Sequence, residues 1–118
     1  MRADTTDILV VTTNDVAHAR ISRVIGAVFG TSIRSRSALG NAFGSMRAAF
    51  GGSQSGYASM MNDTRADAIA ALKQQAAACG ANAVVAMRFD SGEFDSGHGQ
   101  SMAEITAYGT AVLLEPAE

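Results

Sequence analysis

Charged side chains are scarce in this 118-residue chain, in which 17% of the residues are Asp, Glu, Lys or Arg. Soluble proteins usually carry about 25%. Hydrophobic residues make up 47%, and this balance excludes an intrinsically disordered chain, which needs low hydrophobicity and high net charge. The length is typical of one domain, so we expect residues 1–118 to fold as a single unit.

An excess of positive charge is also missing. Nine Lys and Arg residues stand against eleven Asp and Glu residues, which gives a formal net charge of -2. Lys73 is the single lysine, and the densest group of cations is Arg34, Arg36 and Arg47. Because nucleic-acid binding depends on clustered cations, we expect no nucleic-acid partner. Three arginines are more typical of a solvated or interface-pairing surface.

Cysteine is nearly absent, and long apolar runs are absent. Cys79 is the single cysteine, so no internal disulfide can form, which fits a reducing compartment. The N-terminal region contains Asp4 and Asp7 and lacks the apolar run of a secretory signal. No stretch approaches the roughly 20 apolar residues of a membrane span. We therefore expect a cytoplasmic protein without a membrane partner.

The order of apolar, β-branched and turn residues predicts an α+β fold. Strands are predicted at residues 8–13, 22–33, 83–89 and 102–114, a turn at 90–101 and a short helix at 41–50. Residues 57–79 lack Pro and Gly and are rich in strong helix formers, and Gly80 follows at the position of a left-handed cap. We expect two layers: a mostly antiparallel sheet of about four strands, with one long and one short helix.

The long predicted helix carries an apolar stripe at three- and four-residue steps. The stripe consists of Tyr57, Met60, Met61, Thr64, Ala68, Leu72, Ala76 and Cys79. We expect it to pack on the sheet, with Cys79 as a small buried thiol at the helix end.

The predicted strands are apolar on both faces. In the second strand Val24 and Val28 lie on one face and Ile25 and Phe29 on the other, whereas a sheet with one solvated face should alternate more cleanly. Such surface usually meets a partner, and a second copy of the chain is the simplest one. In the alternative interpretation, the short helix and the loops cover the second face.

Glycines and alternation also predict local geometry within the strands. Gly26 and Gly30 interrupt the second strand and predict bulges or a close backbone approach. Alternation in the third strand predicts Val85, Met87 and Phe89 on one face.

The segment after the third strand holds the strongest candidate for a metal site. Its carboxylates and imidazole are Asp90, Glu93, Asp95 and His98, which are donors for hard to borderline metal ions. The spacing matches neither an EF-hand loop nor a HExxH motif. The alternative is a polar hairpin whose acids are solvated and whose glycines form the turn.

Signatures of known enzyme classes are missing. Residues 52–56 contain serines, but Gln54 stands at the centre where a GxSxG elbow needs serine, and no P-loop or strand-linked GxGxxG is present. His18 and His98 fall in predicted turns, and nothing in the sequence pairs either with a nucleophile. The loop at residues 51–56 precedes the long helix, so it is either an anion-binding loop or a simple connector. We expect a non-enzymatic protein.

Five short motifs occur along the chain in a characteristic order. They are Val11-Thr12-Thr13, residues 26–30 (GAVFG), residues 50–52 (FGG) followed by Tyr57, residues 80–85 (GANAVV) and residues 107–112 (AYGTAV). The set resembles the YbjQ family over residues 8 to 114. The resemblance implies a small α+β subunit in a homopentameric ring. Members carry a heavy-metal-binding label without an established function, and the label points to no residue set.

The sequence departs from the family pattern at several positions. A glycine is usual where His18 and Ala86 stand, a leucine is common at Cys79, and Ser53-Gln54 replaces an Arg-Ser pair. Asn82 matches the pattern, and we expect it to cap or bridge backbone at the helix-to-strand turn. Arg47 also matches, and its expected role is pairing across a subunit interface.

These observations lead to one main hypothesis and two alternatives. The main hypothesis is a non-enzymatic homopentamer that binds a divalent or soft metal ion, or a small ligand. The first alternative is a purely structural or partner-docking ring without metal. The second is a small hydrolase-type enzyme.

Overall fold

The chain forms one four-stranded sheet and one long helix in the residues that the structure, a computed structural model, describes, namely 7–35, 54–95 and 101–117. The elements are β1 (Leu9–Val10), β2 (Ala19–Ser35), α1 (Gln54–Ala78), β3 (Ala83–Asp95) and β4 (Ser101–Pro116). The strand order is β1-β3-β4-β2, with β1 parallel to β3 and the other pairs antiparallel. The predicted α+β fold is confirmed. The predicted short helix at 41–50 lies outside the described residues, and the ring stays a prediction.

The turn after helix α1 contains the predicted glycine cap, although the helix ends at Ala78, one residue before the predicted end at Cys79. Gly80 has a φ of 87°, and its N–H donates to the Ala77 carbonyl at 3.1 Å, while the Ala81 N–H donates to the Ala76 carbonyl at 3.0 Å. This pair of bonds is a Schellman motif, in which glycine adopts the left-handed conformation at no steric cost. Ala76 and Ala81 are both buried beside the cap. Among the described residues, no helix is both long and apolar enough to cross a bilayer.

The apolar stripe of α1 packs on β2 and β4. Thr64, Ala68, Leu72 and Ala76 are buried, as predicted. Cys79, in contrast, is exposed, and the prediction of a buried thiol is wrong. The helix ends at Ala78, so Cys79 belongs to the turn that connects α1 to β3, and its thiol donates to the Ala76 carbonyl at 3.2 Å.

Gly30 brings the backbones of β2 and α1 into contact. A Cβ atom at Gly30 would lie 2.2 Å from the Leu72 nitrogen and 2.3 Å from the Ala68 oxygen, so no larger residue fits without moving the helix. The neighbouring Phe29 N–H donates to the Gln75 side-chain oxygen. The predicted close approach is confirmed at Gly30, and a register shift between Val24 and Gly26 confirms a bulge.

A second bulge, in β3, changes the alternation of that strand. Val85 pairs with Thr110 and Arg88 pairs with Tyr108, so two residues of β3 oppose one of β4. Ala86 has a φ of 55°, the left-handed geometry of a G1-type bulge. The extra residue places Val84 and Met87 together in the main core and Val85 in a smaller cluster. The prediction that Val85 and Met87 share a face is therefore wrong.

The β3–β4 hairpin is longer than predicted. Residues 90–101 were expected to form a turn, but β3 continues to Asp95, which pairs with Ser101. Gly, Ser and Asp are poor strand formers, yet β4 offers them a complete ladder of backbone partners, and tertiary context outweighs strand propensity.

The second face of the sheet is covered over part of its length. Ala83, Val85 and Val112 form the smaller buried cluster, and Val11 and Val16 from the β1–β2 loop pack against it. The alternative interpretation, in which loops fold over this face, therefore holds near β1. Beyond Arg88, towards the β3–β4 hairpin, large side chains on this face remain exposed.

Candidate functional site on the uncovered sheet face

The three strands β3, β4 and β2 continue past the covered region and present rows of side chains on one face. Directly paired residues of neighbouring strands share a face. The rows are Arg88–Tyr108–Phe29, Asp90–Thr106–Thr31, Gly92–Glu104–Ile33 and Phe94–Met102. We call this surface, which lies opposite to α1 and is left open by the described residues, the uncovered face.

Four large apolar side chains dominate the uncovered face. Phe29 is 54% exposed, Ile33 52%, Phe94 43% and Tyr108 39%. The rings of Phe29 and Tyr108 stack with centroids 6.5 Å apart and an interplanar angle of 29°. Single exposed apolar residues are ordinary on a protein surface, but four large ones on the same face of a sheet are more typical of an interaction site.

A polar band crosses the middle of the uncovered face. The Thr31 and Thr106 hydroxyls hydrogen-bond at 2.9 Å, and Asp90 pairs with Thr106. The Glu104 side chain lies beside Gly92, where a Cβ atom would come within 3.6 Å of its Oε1 atom. The face therefore combines apolar contact area with two carboxylates and two hydroxyls.

Arg88 ties the rim of the uncovered face to the β1–β2 loop. One of its guanidinium nitrogens donates to the Thr12 carbonyl and to the Met87 carbonyl, each at 2.8 Å. The Met87 N–H donates to the Val11 carbonyl at 3.0 Å, and the Ala86 N–H donates to the Thr13 carbonyl at 2.8 Å. The family motif at residues 11–13 is thus hydrogen-bonded to the bulge in β3. Sequence reasoning missed this role, since Arg88 gave no local signal.

The structure separates two of the predicted metal-site residues. Asp90 lies on the uncovered face, whereas Glu93 pairs with Ala103 and lies on the helix side, about 10 Å further along the strand. Asp95 pairs with Ser101 at the end of the ladder, and His98 lies outside the described residues. Within the described parts of the chain, no three His, Cys, Asp or Glu residues are grouped to hold a metal ion. The four-residue site stays a prediction.

Two departures from the family pattern coincide with unusual backbone. His18 has a φ of 64° and Ala86 a φ of 55°, a region that favours glycine. These are the positions where the resemblance implies glycine, so the structure supplies the physical reason for that residue.

Asn82 takes the role that was expected of it at the helix-to-strand turn. Its Oδ1 atom accepts a bond from the Leu114 N–H at 2.8 Å, and its Nδ2 atom donates to the Leu114 carbonyl at 3.0 Å. The side chain thereby bridges the turn to β4. Arg47 and residues 51–53 of the predicted loop lie outside the described residues, whereas residues 54–56 belong to α1 and not to a loop.

Comparison with known proteins identifies the family. The YbjQ family model, described as "Putative heavy-metal-binding", matches residues 8–115. A UPF0145 protein of Acidiphilium cryptum is 68% identical over 92% of this chain and 96% of its own length, and one of Lactococcus lactis subsp. cremoris is 47% identical over the same shares. Neither name states an enzymatic activity.

A solved structure shows the same fold at low sequence identity. It is a protein of unknown function of the DUF74 family from Pediococcus pentosaceus, with a TM-score of 0.60 and 14% identity over 92% of this chain and 98% of that one. At this identity the likeness shows the fold alone. With the family model and the relatives above, the comparison confirms the resemblance: the chain belongs to the YbjQ, or UPF0145, family.

Proposed function

We propose that the chain is a non-enzymatic subunit that assembles with copies of itself into a ring of five. The observation that carries this proposal is the group of exposed apolar side chains on the uncovered face, namely Phe29, Ile33, Phe94 and Tyr108. The low charge of the sequence supports it, because interfaces are depleted of charged residues at their centre. The relatives' names, which state no activity, are consistent with a role other than catalysis.

The energetics favour burial of this surface by a neighbour. Fully burying a large apolar side chain stabilises a protein by about 1.5–3 kcal/mol, so covering a half-exposed one contributes about 1 kcal/mol. Four such side chains at every contact of a ring together contribute a substantial hydrophobic stabilisation of the oligomer. The hydroxyls of Thr31 and Thr106 and the carboxylates of Asp90 and Glu104 supply polar contacts that orient the neighbour.

Ile33→Asp tests the proposal directly. The substitution removes about 1 kcal/mol of burial and places an unpaired charge in the contact. The matched control is Ala70→Asp, which adds the same charge at an exposed position of α1. Size-exclusion chromatography with light scattering should show an oligomer for the wild type and the control, and a folded monomer for Ile33→Asp. An oligomer of unchanged mass for Ile33→Asp contradicts the proposed interface.

A second proposal concerns metal binding, and the description of the matching family model supports it. We propose that the β3–β4 hairpin binds a divalent or soft metal ion through the predicted donors. Since Asp90 and Glu93 lie on opposite faces, a single ion in one subunit takes the donors at 93, 95 and 98, and Asp90 serves a site that a neighbouring subunit completes.

Isothermal titration of chelator-stripped protein with Zn, Cu and Ni tests this second proposal. Loss of the heat of binding in His98→Ala and in Glu93→Gln supports the hairpin site, and a smaller number of ions bound by Asp90→Asn supports the second site between subunits. An oligomer that gives no heat with any of the three ions leaves the structural or partner-docking ring as its function.

We also propose a cytoplasmic location, which the single free and exposed thiol of Cys79 supports, because such thiols persist in reducing compartments.

A further inference from the structure

The far part of β3 is an open sheet edge. Strand β1 pairs with Ala83 and Val84, and the loop after β1 extends this contact as far as Met87, whose N–H donates to Val11. From Arg88 onward, β3 has β4 on one side and, among the described residues, no strand on the other. Natural sheets protect such edges with proline, a bulge or charged side chains. Residues 88–95 contain no proline and no bulge, and their charged residues are Arg88, Asp90, Glu93 and Asp95.

The hydrogen-bond pattern shows which backbone groups of this edge point outward. The Asn82 N–H donates to the Val112 carbonyl, so Val112 and every second residue of β4 before it point towards β3. Their partners Arg88, Asp90 and Gly92 therefore point towards β4. Because consecutive residues of a strand alternate in direction, the N–H and C=O groups of Phe89 and Ser91 point away from the sheet.

The opposite edge of the same sheet lies on β2. The Phe29 N–H points away from β4, because it donates to Gln75 of α1, so the backbone groups of Thr31 and Ile33 point outward by the same alternation. Ile33 pairs with Glu104, which pairs with Gly92. The two edges therefore lie at the same level of the sheet. They also run in the same direction, since β2 and β3 are both antiparallel to β4.

We propose that the edge at Phe89 and Ser91 pairs, in parallel, with the edge at Thr31 and Ile33 of a second copy of this chain. This inference rests on the proposed function and states how neighbouring subunits join. The two edges are different surfaces, so the contact is head-to-tail and repeats from subunit to subunit, which is the kind of contact that closes into a ring. The uncovered face then continues from one subunit to the next, and Ile33 on β2 lies beside β3 of the neighbour, which covers part of its exposed side chain.

Charge distinguishes this pairing from a two-fold pairing of two β3 edges. A two-fold axis at Ser91 would bring Asp90 of both copies into diagonal positions, where like charges destabilise a sheet. The β2 edge instead carries Arg34, whose guanidinium pairs with Asp67 and stays 42% exposed. The acidic β3 edge therefore fits the β2 edge of a neighbour better than another copy of itself.

Hydrogen exchange of the full-length oligomer tests the pairing at individual amides. The amides of Phe89, Ser91, Thr31 and Ile33 should exchange at least about 100-fold more slowly than those of an open edge, with the exposed loop amide of Asn14 as the fast control. Exchange of all four at the rate of Asn14 in a confirmed oligomer overturns the inference. Protection of Phe89 and Ser91 without Thr31 and Ile33 also overturns it, because it indicates pairing of two β3 edges or another partner.

Ser91→Pro is the matching variant, and Ser91→Ala is its control. Proline removes the outward N–H and leaves the ladder with β4 intact, as edge strands tolerate. We expect Ser91→Pro to be a folded monomer by circular dichroism and light scattering, and Ser91→Ala to keep the wild-type mass. An oligomeric Ser91→Pro contradicts the inference, and if the variant does not fold, the exchange experiment decides. A monomeric wild type, in contrast, refutes the proposed function itself.

Discussion

The bulge at Ala86 makes a specific prediction about stability. Ala86 holds a φ of 55°, and the left-handed region costs an L-residue about 1–2 kcal/mol. Glycine avoids this cost but loses about 0.5–1 kcal/mol through its greater freedom in the unfolded chain. The difference predicts that Ala86→Gly stabilises the protein by about 0.5–1 kcal/mol. The bond from the residue 86 N–H to the Thr13 carbonyl, at 2.8 Å, involves backbone alone and is kept.

Thermal unfolding at a fixed subunit concentration measures this gain. A stabilisation of this size raises the Tm of a domain of this length by about 2–5 °C. The matched control is Ala27→Gly, at an exposed position in β2 that is paired with Thr110. Because the strand backbone there is extended, glycine adds its entropic cost of folding and relieves no backbone strain. We expect Ala27→Gly to lower the Tm.

The two variants together decide whether backbone strain at the bulge is real. A higher Tm for Ala86→Gly together with a lower Tm for Ala27→Gly supports a strained backbone at residue 86. If Ala86→Gly lowers the Tm as much as Ala27→Gly does, the left-handed backbone at residue 86 carries no cost, and the account of the family's glycine at this position fails.

Two further substitutions test the packing of α1 and the turn after it. Gly30→Ala places a Cβ atom 2.2 Å from the Leu72 nitrogen. We therefore expect urea unfolding to show a free energy of unfolding lower by about 3 kcal/mol or more. A decrease below about 1 kcal/mol would show that the helix does not contact β2 closely here. Asn82→Ala removes both bonds to Leu114 and should cost about 1–2 kcal/mol. Asn82→Asp keeps the Oδ1 acceptor but sets a carboxylate oxygen against the Leu114 carbonyl, so it should cost at least as much as Asn82→Ala, and a clearly smaller loss would show that the Nδ2 bond does not contribute.

Local features were predictable from the sequence because their causes are local. Helix α1 follows from a run of strong helix formers, and its end at Gly80 from the need for a left-handed residue. Asn82 and Gly30 were also identified, since a side-chain bridge and a close approach belong to those residue types. Cys79 was placed wrongly, because helical periodicity was extended one residue past the point where the cap turns the chain.

Features that depend on two strands were not predictable in the same way. Strict alternation assigned Val85 to the wrong face, because Ala86 gives no sequence signal for a left-handed bulge, which requires β4 as a partner. The extension of β3 to Asp95 likewise depends on the ladder with β4. Apolar content on both faces was predicted, but the grouping of Phe29 with Tyr108 depends on the register of β2 against β4, which connects residues distant in sequence.

Native mass spectrometry of the full-length wild-type chain tests the central claim most directly. The account predicts a dominant species of about 60 kDa, five times the 12.1 kDa of one chain, at micromolar subunit concentration. A folded 12.1 kDa species that dominates under these conditions would show that the uncovered face is stable in water, and it would contradict the proposal of a self-assembling ring.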